Sequence, residues 1–296
     1  MARAPVWFDA GVLVAAVRRA VAVSGTTLVV AVLGAVLGAL FAPVGASVAT
    51  SEGRFAGTAR LPGCSGAVVR WPAALDTDRA VVLTNGHCVR QPFLGAREVL
   101  VGEKRWTRVD LLDGEGRVAL EARAVRLQYA SMYRTDVALL TLRETYADLA
   151  VRGVTPLSLA ARGPTRGERI RIPSGYWTEQ RACTTTGTAY RLHERAWDWW
   201  SSIRLPARDG CAIRGGYSGS PIVSRETGLV VGVANTGYVG GRRCIDSACE
   251  ENRSGRVVMR KDMNYGQQTS WLLGCLDAGR TFDLDVAGCR LAKPRG

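Results

Sequence analysis

The sequence is poor in the side chains that form structural zinc sites. Two histidines and eight cysteines occur in 296 residues, and no two cysteines are spaced as Cys-x-x-Cys. Structural zinc is normally held by closely spaced cysteine and histidine ligands, so a zinc-stabilised fold is not expected. No glycine-rich nucleotide-binding loop stands out either, and we therefore expect neither a metal nor a cofactor.

Lysine is almost absent, although the chain is strongly basic. Three of its 39 basic residues are lysines, and the formal net charge is +13. Such a surface attracts anionic partners weakly and keeps a protein soluble. Since no zinc finger, helix-turn-helix or aromatic RNA-binding motif accompanies the arginines, no specific nucleic-acid partner is expected.

The chain has a single long uncharged stretch, from Ala20 to Ser51, which excludes a protein with many membrane spans. Within it, residues 28–42 have the length of the apolar region of a secretory signal. Residues 20–41 would also suffice, at about 1.5 Å rise per residue, to cross a ~30 Å hydrocarbon core. Residues 1–49 are therefore predicted to be a signal peptide or a signal anchor. Both alternatives place the remainder outside the cytoplasm and confine membrane contact to this segment.

The cysteines indicate the same compartment. All eight follow the apolar stretch: Cys64, Cys88, Cys183, Cys211, Cys244, Cys249, Cys275 and Cys289. An even number of cysteines in an exported chain predicts a disulfide framework. Eight cysteines can pair in many ways, so their spacing alone leaves the connectivity open.

Short apolar runs between turn-forming residues predict an all-β fold after the first fifty residues. These runs are residues 66–71, 80–84, 137–142, 169–172, 220–224 and 228–233. Their length and spacing are typical of a β-sandwich or barrel. Residues 151–167, rich in proline, glycine and small side chains, predict a linker between two halves. A helix is also predicted around residues 265–276, where Trp271, Leu272 and Leu273 are followed by Gly274 as a stop signal.

The most aromatic segment is residues 196–200, Ala-Trp-Asp-Trp-Trp. We interpret it as a strand that lies partly in the core and partly at its rim. The alternative is an exposed aromatic platform for a substrate or a membrane surface.

Three fragments carry side chains suited to nucleophilic catalysis. His87 follows a predicted strand, and Asp136 precedes a strongly apolar strand, where a buried carboxylate needs a polar partner. Ser218 lies in a turn bracketed by glycines. A single histidine is usually structural, but the three fragments together, in this order, predict a catalytic site. The other histidine, His193, lies in a charged segment and is not expected to be the base.

These fragments resemble the motifs of trypsin- and chymotrypsin-like serine proteases. Thr-Asn-Gly-His-Cys (84–88) resembles the family's Thr-Ala-Ala-His-Cys, and Thr-Asp-Val-Ala-Leu-Leu (135–140) matches its Asp-Ile-Ala-Leu-Leu. Gly-Tyr-Ser-Gly-Ser-Pro (216–221) resembles Gly-Asp-Ser-Gly-Gly-Pro. The resemblance runs from about Phe55 to Gly240 and is closer to bacterial secreted members, including glutamyl endopeptidases.

The resemblance implies a fold and a division of the chain. The fold is all-β, with two packed six-stranded antiparallel β-barrels and the site between them. Residues 50–150 would form the barrel that carries His87 and Asp136. Residues 151–296 would form the barrel that carries Ser218, followed by a disulfide-closed tail.

The resemblance also implies roles for these residues in an endopeptidase acting on peptides or proteins. Ser218 would be the nucleophile, His87 the base, and Asp136 the residue that orients the imidazole. The backbone N–H groups of Gly216 and Ser218 would form the oxyanion hole. Activity should then rise with pH as His87 becomes neutral.

The family pattern further implies disulfide pairs. Cys64 would pair with Cys88 and brace the loop that carries His87. The other expected pairs are Cys183–Cys211, Cys244–Cys249 and Cys275–Cys289.

Three departures from the family pattern bear on activation and specificity. Tyr217 stands where the trypsin branch has the aspartate that receives the new N-terminus, so trypsin-like zymogen activation is not expected. Ala212 stands at the position of trypsin's pocket aspartate, and Ala234 where glutamyl endopeptidases carry a histidine. The wall strand would include Asn235, Thr236 and Gly237 and pair with the substrate backbone.

These departures favour cleavage after a small or apolar residue. The alternative is a different class of protein, a catalytically silent protease-fold module that binds ligands, either free or tethered to a membrane. The intact set of His87, Asp136 and Ser218 favours the enzyme.

Overall fold

The computed structural model describes residues 53–295 of the chain. The predicted signal or anchor segment, residues 1–49, lies outside the described residues. Across residues 53–295, no helix combines the length and hydrophobicity that a membrane span requires.

The first part of the described chain forms a closed β-barrel, here called the first barrel. Its strands are β1 (Thr58–Leu61), β2 (Cys64–Arg70), β3 (Arg79–Thr84), β4 (Val99–Leu112), β5 (Val118–Ser131) and β6 (Val137–Thr145). Their order is β1-β4-β5-β6-β3-β2, and β1 pairs with β2 to close the barrel. A two-residue strand, β7 (Leu157–Ser158), adds to β2 in parallel.

The pairing of β3 with β6 sets the position of two predicted site residues. Both strands are strongly apolar, and residues 80–84 and 137–140 are buried in the barrel core. In this antiparallel pair Thr84, at the end of β3, lies opposite Ala138, near the start of β6. The residues that follow β3 and those that precede β6 therefore meet at one end of the barrel. Helix α1 (Tyr146–Val151) then leaves β6 through a capping box made by Thr145 and Asp148.

The remainder of the chain forms a nine-stranded sheet, here called the second sheet. Its strands are β8 (Arg169–Ser174), β9 (Glu179–Thr184), β10 (Thr188–Glu194), β11 (Trp197–Pro206), β12 (Pro221–Ser224), β13 (Val230–Gly237), β14 (Cys249–Glu251), β15 (Val257–Val258) and β16 (Met263–Gln268). Their order is β15-β14-β10-β11-β16-β13-β12-β8-β9. This arrangement, with the first barrel, confirms the predicted all-β, chymotrypsin-like fold class. It has more strands than the six expected, in part because β14 and β15 extend the edge beside β10.

The predicted helix over residues 265–276 is wrong in its first part. Residues 265–268 belong to β16, which is hydrogen-bonded to β11 on one side and to β13 on the other. Pairing on both sides outweighs the local helical pattern, because it satisfies the backbone of a buried segment. Only Ser270–Leu273 is helical (α2), and the tail ends in a short hairpin of β17 (Leu276–Asp277) and β18 (Thr281–Phe282).

Four disulfides are present, and their pairing is the expected one. They join Cys64 to Cys88, Cys183 to Cys211, Cys244 to Cys249 and Cys275 to Cys289. The first of them ties β2 to the residue that follows His87.

The first barrel and the second sheet are joined by hydrogen bonds close to the predicted site. The buried Ser65 on β2 donates its backbone N–H to the carbonyl of Ser218 (2.8 Å) and its hydroxyl to the carbonyl of Gly216 (2.8 Å). The indole of Trp199 on β11 donates to the carbonyl of Met132 in the first barrel (2.9 Å). The turn that carries Ser218 is therefore fastened to β2, whose first residue is disulfide-bonded to Cys88.

Candidate active site

His87 lies on a 3₁₀ turn, Gly86–Cys88, directly after β3. The backbone here approaches the end of β5 so closely that a Cβ at position 86 would lie 2.2 Å from the carbonyl oxygen of Ser131. Glycine is therefore needed before His87. The disulfide through Cys88 fixes the other side of the turn, and the His87 side chain retains 15% exposure toward solvent.

Asp136 holds the imidazole of His87 through both carboxylate oxygens. Oδ2 lies 2.7 Å from Nδ1 of His87, and Oδ1 accepts the backbone N–H of His87 at 3.0 Å. Asp136 is fully buried, and Asn85 donates its side-chain amide to the Asp136 carbonyl (2.7 Å). A carboxylate at Nδ1 favours the tautomer whose proton sits on that nitrogen, which leaves Nε2 as a hydrogen-bond acceptor.

The pKa of His87 is set by burial and by two carboxylates. Burial alone would lower it, because desolvation disfavours the imidazolium. The charge and hydrogen bond of Asp136, together with the charge of Glu194, act in the opposite sense and raise the pKa of His87 above its ordinary value. Asp136 was expected in this role, whereas nothing in the sequence pointed to Glu194.

Ser218 lies in a tight turn between the second sheet and the first barrel. The glycines at positions 216 and 219 have φ values of +91° and +79°, which side chains with a Cβ rarely adopt. A Cβ at Gly219 would also lie 2.2 Å from Ser65 O and from Thr84 Oγ1. These glycines allow the turn to lie against β2 and the end of β3, and thus at the same end of the first barrel as His87.

The hydroxyl of Ser218 donates to the carbonyl of Asn235 at 3.4 Å. Among the described residues it makes no hydrogen bond with His87. Hydrogen bonds of this kind are often long or misaligned without substrate and form only in the complex. Ser218 is partly exposed, so its hydroxyl can be reached from solvent.

The backbone N–H groups of Gly216 and Ser218, the two residues expected to form an oxyanion hole, have no acceptor within the part of the chain that the structure describes. The amide that follows each of them is occupied, since Tyr217 N–H donates to Arg214 O (3.0 Å) and Gly219 N–H to Ala234 O (2.9 Å). The turn therefore offers a pair of free donors beside the Ser218 hydroxyl, as stabilisation of an oxyanion requires.

A network of side chains braces this turn from outside. The indole of Trp177 donates to the carbonyl of Gly215 (2.7 Å), and the guanidinium of Arg214 lies 4.2 Å from the Trp177 ring centre. Arg214 also pairs with Glu179 at 2.8 Å, and the hydroxyl of the buried Tyr217 donates to the same carboxylate (3.3 Å). Tyr217 is thus held by side-chain contacts within the second sheet.

The residues expected to form a substrate wall, Asn235 to Gly237, lie on β13, and the last of them lies against a residue that the sequence did not single out. Gly237 pairs with Asn264 on β16, and a Cβ at Gly237 would lie 1.9 Å from Asn264 Oδ1. The buried Asn264 amide also donates to the carbonyl of Cys211 (2.8 Å), the residue before the exposed Ala212. Asn264 therefore fills the space between Gly237 and the Cys211–Ala212 segment. Only the register of β13 with β16 brings it there.

Asn235 contributes its carbonyl to the site, and its side chain is unusual. Both polar atoms of its buried amide lack a hydrogen-bond partner within residues 53–295. Ala234, the preceding residue, is buried in the core of the second sheet. Position 234 therefore carries a buried methyl group, where glutamyl endopeptidases carry a histidine.

His193 is engaged elsewhere. Its Nδ1 contacts Asp198 and its Nε2 contacts Glu251, so both ring nitrogens are occupied by carboxylates on the second sheet. It is therefore not available to act on Ser218, as expected.

One group of possible metal ligands occurs in the described part of the chain: Cys64, His87 and Cys88. Its two sulfur atoms are joined to each other in a disulfide. They cannot act as thiolates, which are the form of cysteine that binds metal. The donors present do not make a metal site.

The sequence of this chain matches a known protein family. A sequence profile of the trypsin-like peptidase domain matches residues 64–233, more than half of the chain. No curated protein sequence gives a significant match.

Several solved structures are similar to this chain. The MamO protease domain from Magnetospirillum magneticum is 14% identical, with 77% of this chain and 98% of that chain covered and a TM-score of 0.47. Kallikrein-related peptidase 10 is 17% identical, with 73% and 90% covered and a TM-score of 0.43. Protease Anisep from Arthrobacter nicotinovorans is 16% identical, with 78% and 93% covered and a TM-score of 0.41.

Proposed function

This chain belongs to the trypsin-like peptidase family, and on that premise we propose that it is an exported serine endopeptidase that works through an acyl-enzyme. The observation that carries the proposal is the geometry around His87 and Ser218. The imidazole is held by a fully buried carboxylate at 2.7 Å. The serine lies in a turn in which the N–H groups of Gly216 and Ser218 have no acceptor among the described residues.

The proposed reaction assigns one step to each group. Ser218 Oγ attacks the scissile carbonyl while Nε2 of His87 takes its proton, and Asp136 stabilises the resulting imidazolium. The N–H groups of Gly216 and Ser218 donate to the oxyanion. His87 then returns the proton to the leaving amine, and water repeats the sequence on the acyl-enzyme. Before attack the Ser218 hydroxyl must exchange its hydrogen bond with Asn235 O for one with His87.

The compartment follows from the cysteines and from the N-terminal prediction. Four disulfides favour an oxidising, extracytoplasmic location. We propose that residues 1–49 direct export, either as a cleaved signal peptide or as a retained anchor. Cell fractionation together with N-terminal sequencing of the mature protein separates these two alternatives.

The direct test is labelling of the full chain with a fluorophosphonate probe. Such probes react with activated serines, so we expect one adduct, located on Ser218 by mass spectrometry and lost in Ser218→Ala. Absence of labelling in protein whose folding is verified by circular dichroism would contradict the proposal. It would favour the silent binding module, for which the missing hydrogen bond between Ser218 and His87 is the specific argument.

The pKa of His87 predicts the pH dependence of the reaction. The base must be neutral, and its pKa lies above the ordinary 6.5. We therefore expect kcat/KM to be low in acid and to rise with pH through a midpoint above 6.5. Initial rates between pH 5 and 9 on one peptide substrate measure this midpoint. A flat profile would show that His87 is not the base.

The position of Asn264 predicts which substrate side chain is preferred immediately before the scissile bond. Because its side chain fills the space between Gly237 and Cys211, a small side chain such as alanine should be favoured there. Asn264→Ala should raise kcat/KM for leucine relative to alanine at this position by roughly 10- to 100-fold. Asn252→Ala, in an exposed turn, is the matched control. An unchanged ratio in a variant that melts within a few degrees of the parent would contradict the assignment.

A further inference from the structure

Glu194 is a carboxylate of the second sheet that the proposed reaction does not use. It is the last residue of β10 and lies opposite Trp197 in the hairpin with β11. The side chain is partly exposed. It accepts a hydrogen bond from the hydroxyl of Thr236 (2.5 Å), on the wall strand β13. This contact holds Glu194 beside the strand that is expected to pair with substrate.

Glu194 is unusual among its neighbours because it has no ion pair. Within residues 53–295, the other acids of this region are paired with arginine: Asp198 and Glu251 with Arg191, and Glu250 with Arg204 and Arg260. The adjacent Arg195 instead contacts Asp246 at 3.4 Å. Glu194 is therefore a partly buried carboxylate with no arginine or lysine at ion-pair distance among the described residues, although the charges of His87 and Arg195 act on it.

Contacts through two aromatic rings link Glu194 to the proposed base. Glu194 pairs across the hairpin with Trp197, the Trp197 ring lies 5.9 Å from that of Phe93, and Phe93 lies 5.5 Å from the His87 ring. In keeping with this placement, the charge of Glu194 acts to raise the pKa of His87. Burial raises the pKa of Glu194 above its ordinary value, although the Thr236 hydrogen bond and the charge of His87 act against this. A cation bound at Glu194 would offset that cost.

Aromatic rings form the other walls of this space. Phe93 lies edge-on to the His87 ring, with centroids 5.5 Å apart, and Trp197 lies edge-on to Phe93 at 5.9 Å. The Trp197 indole is fixed by its hydrogen bond to the carbonyl of Leu94 (2.9 Å). Phe93 is 40% exposed and Trp197 is partly buried, so the Phe93 ring is open to a ligand. We call the space between Phe93, Trp197, Glu194 and Thr236 the acidic niche.

We propose that the acidic niche binds the second residue before the scissile bond and that Glu194 selects arginine or lysine at that position. The proposal rests on the proposed peptidase function. A substrate that pairs with β13 is extended, and successive side chains of an extended strand point to opposite faces. If the residue before the scissile bond points toward Ala212 and Asn264, the one preceding it points the other way, toward His87 and the niche.

The chemistry of the niche fits a long cationic side chain. The aliphatic stem of arginine or lysine packs on aromatic rings, and its charged end gains cation–π energy from them. At its tip the guanidinium or ammonium would form a charge-assisted hydrogen bond with Glu194. A neutral chain of similar length would keep the packing and lose the charge contact.

Fluorogenic peptides that differ at one position test the proposal on the full-length protein. In acetyl-Ala-X-Ala-aminomethylcoumarin, only cleavage after the last alanine releases the dye, and X is arginine or norleucine. We expect the arginine peptide to have the higher kcat/KM by at least about tenfold, the effect of one charge-assisted contact in a partly buried site. Glu194→Gln should reduce this ratio to near one. Glu251→Gln, on the same sheet but paired with Arg191 and His193, should keep it.

A second readout separates a positional role of Glu194 from a structural one. The groups that act on His87 are Asp136 and Glu194, and Arg195 is the cation that acts on Glu194 besides His87. Loss of the Glu194 charge lowers the pKa of His87, so the acid limb of kcat/KM for the norleucine peptide should move to lower pH in Glu194→Gln. A limb that does not move would overturn the placement of Glu194 beside His87.

Binding to the inert Ser218→Ala protein distinguishes failure of this inference from failure of the peptidase function. Titration calorimetry with acetyl-Ala-Arg-Ala-amide and its norleucine analogue gives the affinity ratio without turnover. Hydrolysis of both peptides with no preference for arginine, or a preference that survives Glu194→Gln, would overturn the inference alone. Tighter arginine binding that requires Glu194, with no hydrolysis by the parent protein, would support the niche and overturn the peptidase function.

Discussion

Asp136→Asn should lower kcat by about 10⁴-fold, the loss that this change produces in the serine-protease triad. The reason lies in the two hydrogen bonds that Asp136 accepts, from the backbone N–H of His87 and from its Nδ1. Asparagine has a single side-chain oxygen. If that oxygen accepts the backbone N–H, the amide NH₂ faces Nδ1, and the ring proton moves to Nε2. The imidazole can then no longer take a proton from Ser218.

The measurement is kcat on one peptide substrate, with the rate of fluorophosphonate labelling as an independent readout of serine activation. Asp198→Asn is the matched control, because Asp198 is the carboxylate that contacts the other histidine, His193. We expect that control to retain kcat within about a factor of two, as for a substitution outside the reacting groups. A loss of less than tenfold in Asp136→Asn would show that Asp136 does not set the tautomer of the base.

Gly216→Ala should lower kcat by roughly 10²–10³-fold, the loss expected when one oxyanion donor is removed. Gly216 has φ of +91°, and an added Cβ would lie 2.5 Å from Tyr176 and 2.8 Å from the Trp177 indole nitrogen. The turn cannot accept this atom without rotating its peptide groups, and the free N–H of position 216 would then point elsewhere. KM should change much less, because the donor acts on the developing oxyanion rather than on the bound carbonyl.

The neighbouring glycine supplies the control. A Cβ at Gly215 meets no other atom within 4 Å, so Gly215→Ala adds the same methyl group to the same turn without a clash. We expect Gly215→Ala to stay close to the parent in kcat. Equal losses in both variants would mean that the turn responds to any substitution, and the assignment of the Gly216 N–H as an oxyanion donor would fail.

Local motifs in the sequence were sufficient to predict the strands beside the proposed catalytic residues. His87 and Asp136 flank two apolar runs, and both runs are strands of the first barrel. The glycines around Ser218 predicted a tight turn. These features can be recognised in a sequence because each depends only on residues a few positions apart. They are the alternation of apolar and polar residues, apolar runs, and the backbone freedom of glycine.

The helix over residues 265–276 failed for the opposite reason. Its local pattern was compatible with a helix, but the segment lies between β11 and β13 and pairs with both. A short apolar run cannot be assigned from periodicity alone when partners distant in sequence decide its backbone hydrogen bonds.

The sequence by itself determined the fold class and the disulfide framework, because these follow from local patterns and from a recognisable resemblance, and it led to the proposal of His87, Asp136 and Ser218 as the reactive side chains. Only the tertiary structure decided what surrounds them. Asn264 reaches Gly237 through the register of two strands. Glu194 is linked to the His87 ring through Trp197 on the second sheet and Phe93 in a loop of the first barrel. Neither residue is marked by a local sequence motif, because its role depends on residues distant in sequence that the fold brings into contact with it.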